Sequence, residues 1–468
     1  MGVKRNNIAI YVSAIILLLI AIALRAEEPS SILPPPTANV MVVADNSAAK
    51  PAEPASIASS APQDNTDTQD TKSPAPIPPS APGPPPGPLM GVLDHAGLTE
   101  HINNARLGIY GYVEGGYMHD FTSPGFNDGS TFILFNSFKN DVILDKISLT
   151  AERTVDPTKR QFDVGFHMEG IYGADAAFIH SNGMQDSQTG RNQWDLIQAY
   201  ADVAFPDTPL RLRVGKWIEL AGFEQFSANI YGAFGNPARA LYSYSYQFLY
   251  AEPNTQTGAL LTYALNPHWT FDAGVTRGWN QSLRDANSVP DFLARATFTP
   301  GDKTSVIGVI TEGPEFPVGA GKHLPPGDNK HWWTALDLVI TQVVSDKLSL
   351  GLGFDYVETP HIPGSARGAK HWGGATGYIS YAFDPRFTLN TRLEWYRDAA
   401  TGFSTGAPIG GDYNEATVGM AIRPFPQNNI LSHLLFRPEF RYDHADSPVF
   451  GKGDYSQATV GVDAIFTF

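Results

Sequence analysis

Charged residues recur on one phase of segments whose other phase is apolar. Arg211, Arg213, Arg295, Arg392, Arg423, Arg437 and Arg441 stand against Glu114, Asp163, Glu169, Asp202, Glu394, Glu415, Glu439 and Asp463. The grouping is tightest in three successive segments that carry Arg392 with Glu394, then Glu415 with Arg423, then Arg437, Glu439 and Arg441. Guanidinium and carboxylate groups on one wall can set a transverse field that orients polar solutes in a restricted passage. They can equally form cross-strand ion pairs that stiffen the wall. Hydrolysis is the weaker reading. His167 shares the polar phase, but no Gly-x-Ser-x-Gly, His-Glu-x-x-His or other catalytic spacing accompanies it, so the chain is read as no enzyme. There is no cysteine, hence no thiolate metal site and no covalently attached haem. No cofactor or metal is expected, and acidic loop residues such as Asp398 and Asp412 read as solvated charge rather than calcium ligands.

The elements that position these charges are strands. From Leu107 to the end, segments of about ten residues with period two are separated by Gly, Pro, Asn and Asp clusters. Leu348, Leu350, Leu352 and Phe354 alternate with Ser349, Gly351, Gly353 and Asp355; Phe162, Val164, Phe166 and Met168 alternate with Asp163, Gly165, His167 and Glu169. An apolar face suits lipid and a polar face suits a lumen. A charge on the lipid face would cost about 2 to 4 kcal/mol at the midplane, which places the charged set inside. The last strand, Gln457 to Phe468, alternates with one exception, Ile465, and ends on Phe466-Thr467-Phe468. A chain that ends on an apolar strand needs a partner for it, and a closed barrel supplies the first strand.

The connections sort by length. Phe205-Pro-Asp-Thr208, Asn266-Pro267, Thr299 to Lys303, Val344-Ser-Asp346 and Asp384-Pro-Arg386 are short, whereas Ile218 to Asn254 and its counterparts on the other rim are long. Bacterial outer-membrane barrels divide their rims in this way. The expected fold is an all-β transmembrane antiparallel barrel of about sixteen strands with both ends on the short-turn side. Pro438 inside its strand predicts a local bulge. The His-Trp pairs at 331–332 and 371–372 read as interfacial aromatic anchors.

Ahead of the barrel, Ile8 to Leu24 is an apolar run after Lys4 and Arg5, which predicts a signal peptide over residues 1–26, cleaved after Ala23 or Ala26. An uncleaved membrane anchor is the second reading. Residues 27–106 are rich in Pro, Ala and Ser and predict a disordered periplasmic segment, with 92–106 as a short helix or lead-in to a barrel over 107–468. A net charge of -15 argues against nucleic acid.

Several stretches look like the OmpL-like porin family, often labelled putative beta-barrel porin-2. Gly108-Ile-Tyr-Gly-Tyr-Val-Glu-Gly-Gly-Tyr117 resembles its opening strand. Gln198-Ala-Tyr200, Val214-Gly-Lys-Trp217, Gly222-Phe-Glu224 and Glu252-Pro-Asn-Thr-Gln-Thr-Gly258 follow in the family's order, and Leu435-Phe-Arg-Pro-Glu-Phe-Arg-Tyr-Asp443 precedes the terminal strand. Ala238-Arg-Ala-Leu-Tyr242 departs from the serine-arginine motif expected there. The resemblance implies an outer-membrane diffusion channel without naming a solute.

A barrel of this size is too wide for side chains alone to fill. The longest connection, Ile218 to Asn254, is the third on its rim and strongly aromatic, so it is expected to fold inward, with Phe223, Glu224, Phe226, Tyr231, Arg239 and Tyr242 at the constriction. A loop packed against its neighbours or a second subunit is the alternative. Glu114, Glu169, Asp202, Arg211, Arg213, Arg295, Arg392, Glu394, Glu415, Arg423, Arg437, Glu439 and Arg441 are the expected pore lining. Phe466 and Phe468 resemble the terminal aromatic signal by which the barrel-assembly machinery recognises its clients. The functional expectation is a porin of the outer membrane, in contact with its lipid and passing small polar solutes or ions passively. A closed or plugged barrel that anchors the Pro-rich arm, as an adhesin, is the other reading. Nothing in the alternation separates a lipid face from the interface of a homotrimer.

Overall fold

The structure, a computed structural model, describes residues 87–122, 134–156, 161–226, 240–314, 332–360, 369–399, 404–407 and 409–468. The expected signal peptide, most of the Pro-rich arm, Tyr231, Arg239 and His331 lie outside the described residues. At the arm's end, where a lead-in is expected over 92–106 and disorder before it, two short helices form, α1 (Pro88–His95) and α2 (Thr99–Ala105), the first reaching back into residues expected to be disordered.

The rest is one closed antiparallel barrel of sixteen strands. They are β1 (Leu107–Asp120), β2 (Val142–Arg153), β3 (Asp163–Gly173), β4 (Gln193–Ala204), β5 (Leu210–Ile218), β6 (Thr255–Asn266), β7 (Trp269–Thr276) and β8 (Asp291–Phe298). Then come β9 (Thr304–Gly313), β10 (Trp333–Val343), β11 (Leu348–Thr359), β12 (Lys370–Ala382), β13 (Phe387–Asp398), β14 (Gly411–Ile422), β15 (Leu434–Phe436 and Glu439–Ala445) and β16 (Ser456–Thr467). Each pairs with its chain neighbours, and β1 pairs with β16 from Tyr112↔Thr467 to Asp120↔Thr459. Among the described residues no helix is long and apolar enough to cross a membrane, which says nothing of strands.

The alternation that marked the strands sets their faces. Leu149, Met168, Leu352, Leu393, Val418, Phe440 and Val460 point outward and exposed, while Gln457, Thr459, Asp463 and their counterparts are buried. Ile465 keeps the inward phase and packs with Tyr112, Ala421 and Leu435 in a small internal apolar cluster, which accounts for the exception in the last strand. At the short-turn end, Trp269 stacks on Phe298 with centroids 4.4 Å apart and Phe162 meets Phe205 at 5.6 Å. Such aromatic contacts suit a membrane interface.

Two inserted residues alter the inward face. Asp145 in β2 and Ile197 in β4 are extra residues, because Glu114 faces Lys146 while Gly115 faces Leu144, and Glu169 faces Gln198 while Gly170 faces Leu196. Each bulge turns two consecutive residues inward, Asp145 with Lys146 and Ile197 with Gln198. At Pro438 the expected bulge is absent. Leu434↔Phe466 and Glu439↔Gly461 keep one register, so no residue is inserted and only a ladder donor is lost. The Pro438 carbonyl still accepts from Met420 N–H at 3.0 Å, and Arg437 N–H donates to the Asp463 carbonyl at 3.1 Å.

The rims are less cleanly sorted than expected. The turns after β4, β6, β8, β10 and β12 are tight, but Arg423 to His433 between β14 and β15 contains a 3-10 turn and rivals the opposite-rim connection after β15. Trp372 is also not an interfacial anchor. It shares the inward phase of Thr376 and Tyr378, is buried, and donates through Nε1 to the Tyr250 carbonyl at 3.0 Å.

Candidate functional site

Both described arms of the third long connection, 219–226 and 240–254, lie against the inner wall of the barrel. After the one-turn helix α3 (Ala176–Ile179), Ser245 starts the helix α4 (Tyr246–Tyr250) by accepting from Phe248 N–H. Tyr242, Tyr244, Tyr246 and Phe248 are all buried. An irregular backbone at this depth must find partners for its N–H and C=O groups within the protein. The charged wall supplies them.

Carboxylates take the amides. Glu439 accepts from Tyr242 N–H at 2.8 Å and from Ser243 N–H at 3.1 Å. Glu394 accepts from Tyr246 N–H at 2.7 Å and Gln247 N–H at 2.8 Å. Glu224, from the loop's other arm, accepts from Ser245 N–H at 2.7 Å.

Donors take the carbonyls. Arg392 donates to Ser243 O at 2.7 Å, Arg437 to Leu241 O at 3.0 Å, Arg441 to Tyr244 O at 2.6 Å and Asn390 to Ala240 O at 3.2 Å. The guanidinium groups are themselves neutralised. Arg392 pairs with Glu224 at 2.7 Å and Glu415 at 3.0 Å, Arg437 with Glu114 at 3.1 Å and with Asp463, and Arg441 with Asp443 at 2.8 Å.

Packing completes the seat. Phe223 stacks on Tyr378 with centroids 3.9 Å apart. A Cβ on Gly351 would meet the Phe223 ring at 2.1 Å, so this glycine makes the close approach feasible. Phe226 is buried beside Phe135, Ile197, Tyr244 and Phe248, with Lys146 3.9 Å from its ring centre. Tyr246 joins Trp333, Trp372, Tyr396, Tyr413 and Phe450 in the largest internal apolar cluster. The Tyr242 hydroxyl donates to Asp145 at 3.2 Å across the barrel interior.

The expected lining residues therefore divide. Arg392, Glu394, Glu415, Arg437, Glu439 and Arg441 are buried between wall and loop. Glu114 joins them through Arg437 and Lys146, the latter at 3.3 Å. Arg423 lies one residue past the end of β14, where its N–H donates to the Arg386 carbonyl at 2.8 Å. On the β3 to β8 arc, Glu169 accepts from Ser148 at 2.8 Å and Gln198 at 2.9 Å. Arg213 bonds Asp202 at 2.9 Å and Arg295 bonds Asp272 at 2.7 Å, with side chains 16% and 22% exposed against 0% for Arg392. Arg211 is half-buried, forms no salt bridge among the described residues, and leaves Nε without a hydrogen bond. Arg211, Arg213 and Arg295 thus sit together on this arc with Asp202 and Asp272 between them, while Glu169 and Asp195 lie on the same arc.

Sequence reasoning missed Asp145 and Lys146, because alternation sends one of two consecutive residues outward and only the bulge turns both in. It also missed Asp272 and Asp443, which sit on the polar phase and were legible there. His167 is held by Glu152 at 3.1 Å and stacks on Tyr200, an arrangement of wall packing.

A closed barrel with an apolar outer face, charged inner face and an internally bound loop defines the porin class of outer-membrane protein. The chain belongs to the putative beta-barrel porin-2, OmpL-like family, whose family model matches residues 106–468. No match was found among curated proteins. Among solved structures it is similar to the outer membrane channel DcaP of Acinetobacter baumannii, at 12% identity and TM-score 0.51 over 77% of this chain and 97% of that one. An anion-selective porin from Comamonas acidovorans has 9% identity and TM-score 0.51, covering 77% and 99%. The high-pH structure of Pseudomonas putida OprB has 14% identity and TM-score 0.51, covering 80% and 97%. These likenesses bear on the fold.

Proposed function

We propose that the barrel is a passive channel for small hydrophilic solutes or ions, narrowed by its third long connection. The observation that carries this reading is the loop's mode of attachment. Its backbone is bound by side chains of β13 and β15, with Glu415 of β14 behind Arg392, whereas the Arg211, Arg213 and Arg295 arc keeps partial solvent access. A loop held to one wall narrows a lumen, and the opposite charged arc then faces the solute. The outward apolar band contacts outer-membrane lipid, and the Pro-rich arm is periplasmic.

Planar-bilayer recording of the purified barrel tests the reading. Steady single-channel currents that grow when Ala228 to Ala240 is deleted are the expected result. Unchanged conductance in a folded deletion variant removes the constriction role. An electrically silent barrel would instead support the anchor reading, in which the internal loop plugs the lumen.

A further inference from the structure

Near the outer rim, Asp337 on β10 and Asp355 on β11 are directly opposed, and both point inward. Like charges placed so repel. Glu252, from the end of the third long connection, closes over them, and one carboxylate oxygen from each of the three lies within 4.8 Å of the others. Most buried carboxylates of this barrel meet a cation, as Asp120, Asp195, Asp272 and Asp463 do, or are clasped by amides, as Glu394 and Glu439 are. This trio has neither. Among the described residues no lysine or arginine bridges to it, and the charges that bear most on Glu252 are Asp355, Asp337, Glu219 and Glu224, all carboxylates.

Unpartnered atoms point to a missing positive charge. Neither oxygen of Asp337 nor of Glu219 receives a hydrogen bond, nor does Oε2 of Glu252, although each residue is more than nine-tenths buried. The Gly222 amide lies beside Asp337, and beyond it carboxyl meets carboxyl, Asp355 against Asp337 and against Glu252. Gly222 itself has φ +83, and a Cβ there would meet Glu252 Oε2 at 1.9 Å, so the loop is shaped to let this carboxylate in.

We infer that Glu252, Asp337 and Asp355 form a Ca2+ site that fastens the third long connection to the β10–β11 wall, with Glu219 as an outer carboxylate. Ca2+ holds carboxylate oxygens at about 2.3 to 2.6 Å, so oxygens sharing one ion stand within about 5 Å of each other, as these do. Mg2+ fits less well, because it retains several waters and these side chains are almost fully buried. An all-oxygen donor set likewise disfavours softer metals.

The test uses the whole purified protein in detergent, stripped of metal by a chelator and titrated with Tb3+ under tryptophan excitation. Trp279 lines the same small cavity as Asp337 and Asp355 and serves as the sensitiser. The inference expects saturable emission that Ca2+ displaces far better than Mg2+, and a thermal midpoint that rises with Ca2+. In Asp337→Asn with Asp355→Asn, the half-saturating Tb3+ concentration should rise on the order of tenfold or more and the Ca2+ response should vanish. Heat-modifiable migration verifies the fold of that variant, and Glu252→Gln replaces it if it does not assemble. Emission indifferent to these substitutions overturns the site, as does a wild-type midpoint that ignores Ca2+ while the variant is equally stable. No conductance is measured, so an electrically silent barrel would count against the channel reading and leave the site intact.

Discussion

The carboxylate of Glu394, on β13, accepts the backbone N–H of Tyr246 at 2.7 Å, and the same group holds Gln247 at 2.8 Å. A wall side chain thus takes the place water would hold at the start of α4. The same logic runs through Glu439, Arg392, Arg437 and Arg441. Charges that look in sequence like the lining of an open passage are the solvation shell of a loop.

Arg392→Ala should destabilise the barrel and release the loop together. It would strip Ser243 of its donor and leave Glu224 and Glu415 buried without their cation. Breaking a buried pair from one side costs about 3 to 5 kcal/mol. Denaturant unfolding should show a lower midpoint, and assembled channels should conduct more than wild type.

Ion preference should follow the other arc. Arg211→Ala removes a half-buried cation that forms no salt bridge among the described residues, so little stability is lost. Reversal potentials under a KCl gradient should shift toward cation selectivity. An unmoved potential would take selectivity away from this arc.

Deleting Phe468 should harm assembly more than conduction. Its N–H donates to the Gly111 carbonyl at 2.8 Å and its carbonyl accepts from Gly111 N–H at 2.9 Å, so it closes the β1–β16 seam. Outer-membrane levels should fall, while the channels that do form should show wild-type conductance. Normal levels would deny the residue its assembly role.

His180, just after the helix α3 (Ala176–Ile179), should make stability depend on pH. Its Nδ1 lies 3.6 Å from Asp195 and its Nε2 2.9 Å from Asp186, with Lys216 and Arg284 also near these carboxylates. The Asp195 carboxylate first, and then Asp186 against the opposing effect of partial burial, raise the imidazole pKa above its ordinary value. A raised folded pKa stabilises fully below the unfolded value, about 6.5, and that contribution is lost as pH climbs through the folded value. The thermal midpoint of His180→Asn should therefore lie below wild type in mild acid and converge on it in alkali. A gap independent of pH would assign His180 a packing role only.

Much of this architecture was written in residue order. Side chains in a strand alternate regardless of context, so Val460 and Val462 against Thr459 and Asp463 already set which face is outward and apolar, and sixteen such segments pointed to a closed barrel. The aromatic character of Tyr242, Tyr244 and Tyr246 marked a loop unsuited to water. What alternation could not carry is register and neighbourhood across the barrel. The bulges at Asp145 and Ile197, the unshifted strand through Pro438, and the inward turn of Trp372 depend on which hydrogen bonds close between strands. That Asp337 stands opposite Asp355, and that Glu252 descends onto both, depends on strand pairing and on a loop that precedes both strands in the chain. The sequence by itself determined the faces, because pleating is local. Only the tertiary structure decided that Arg392, Arg437 and Arg441 bind a loop, because a partner for a charge is chosen by proximity in space.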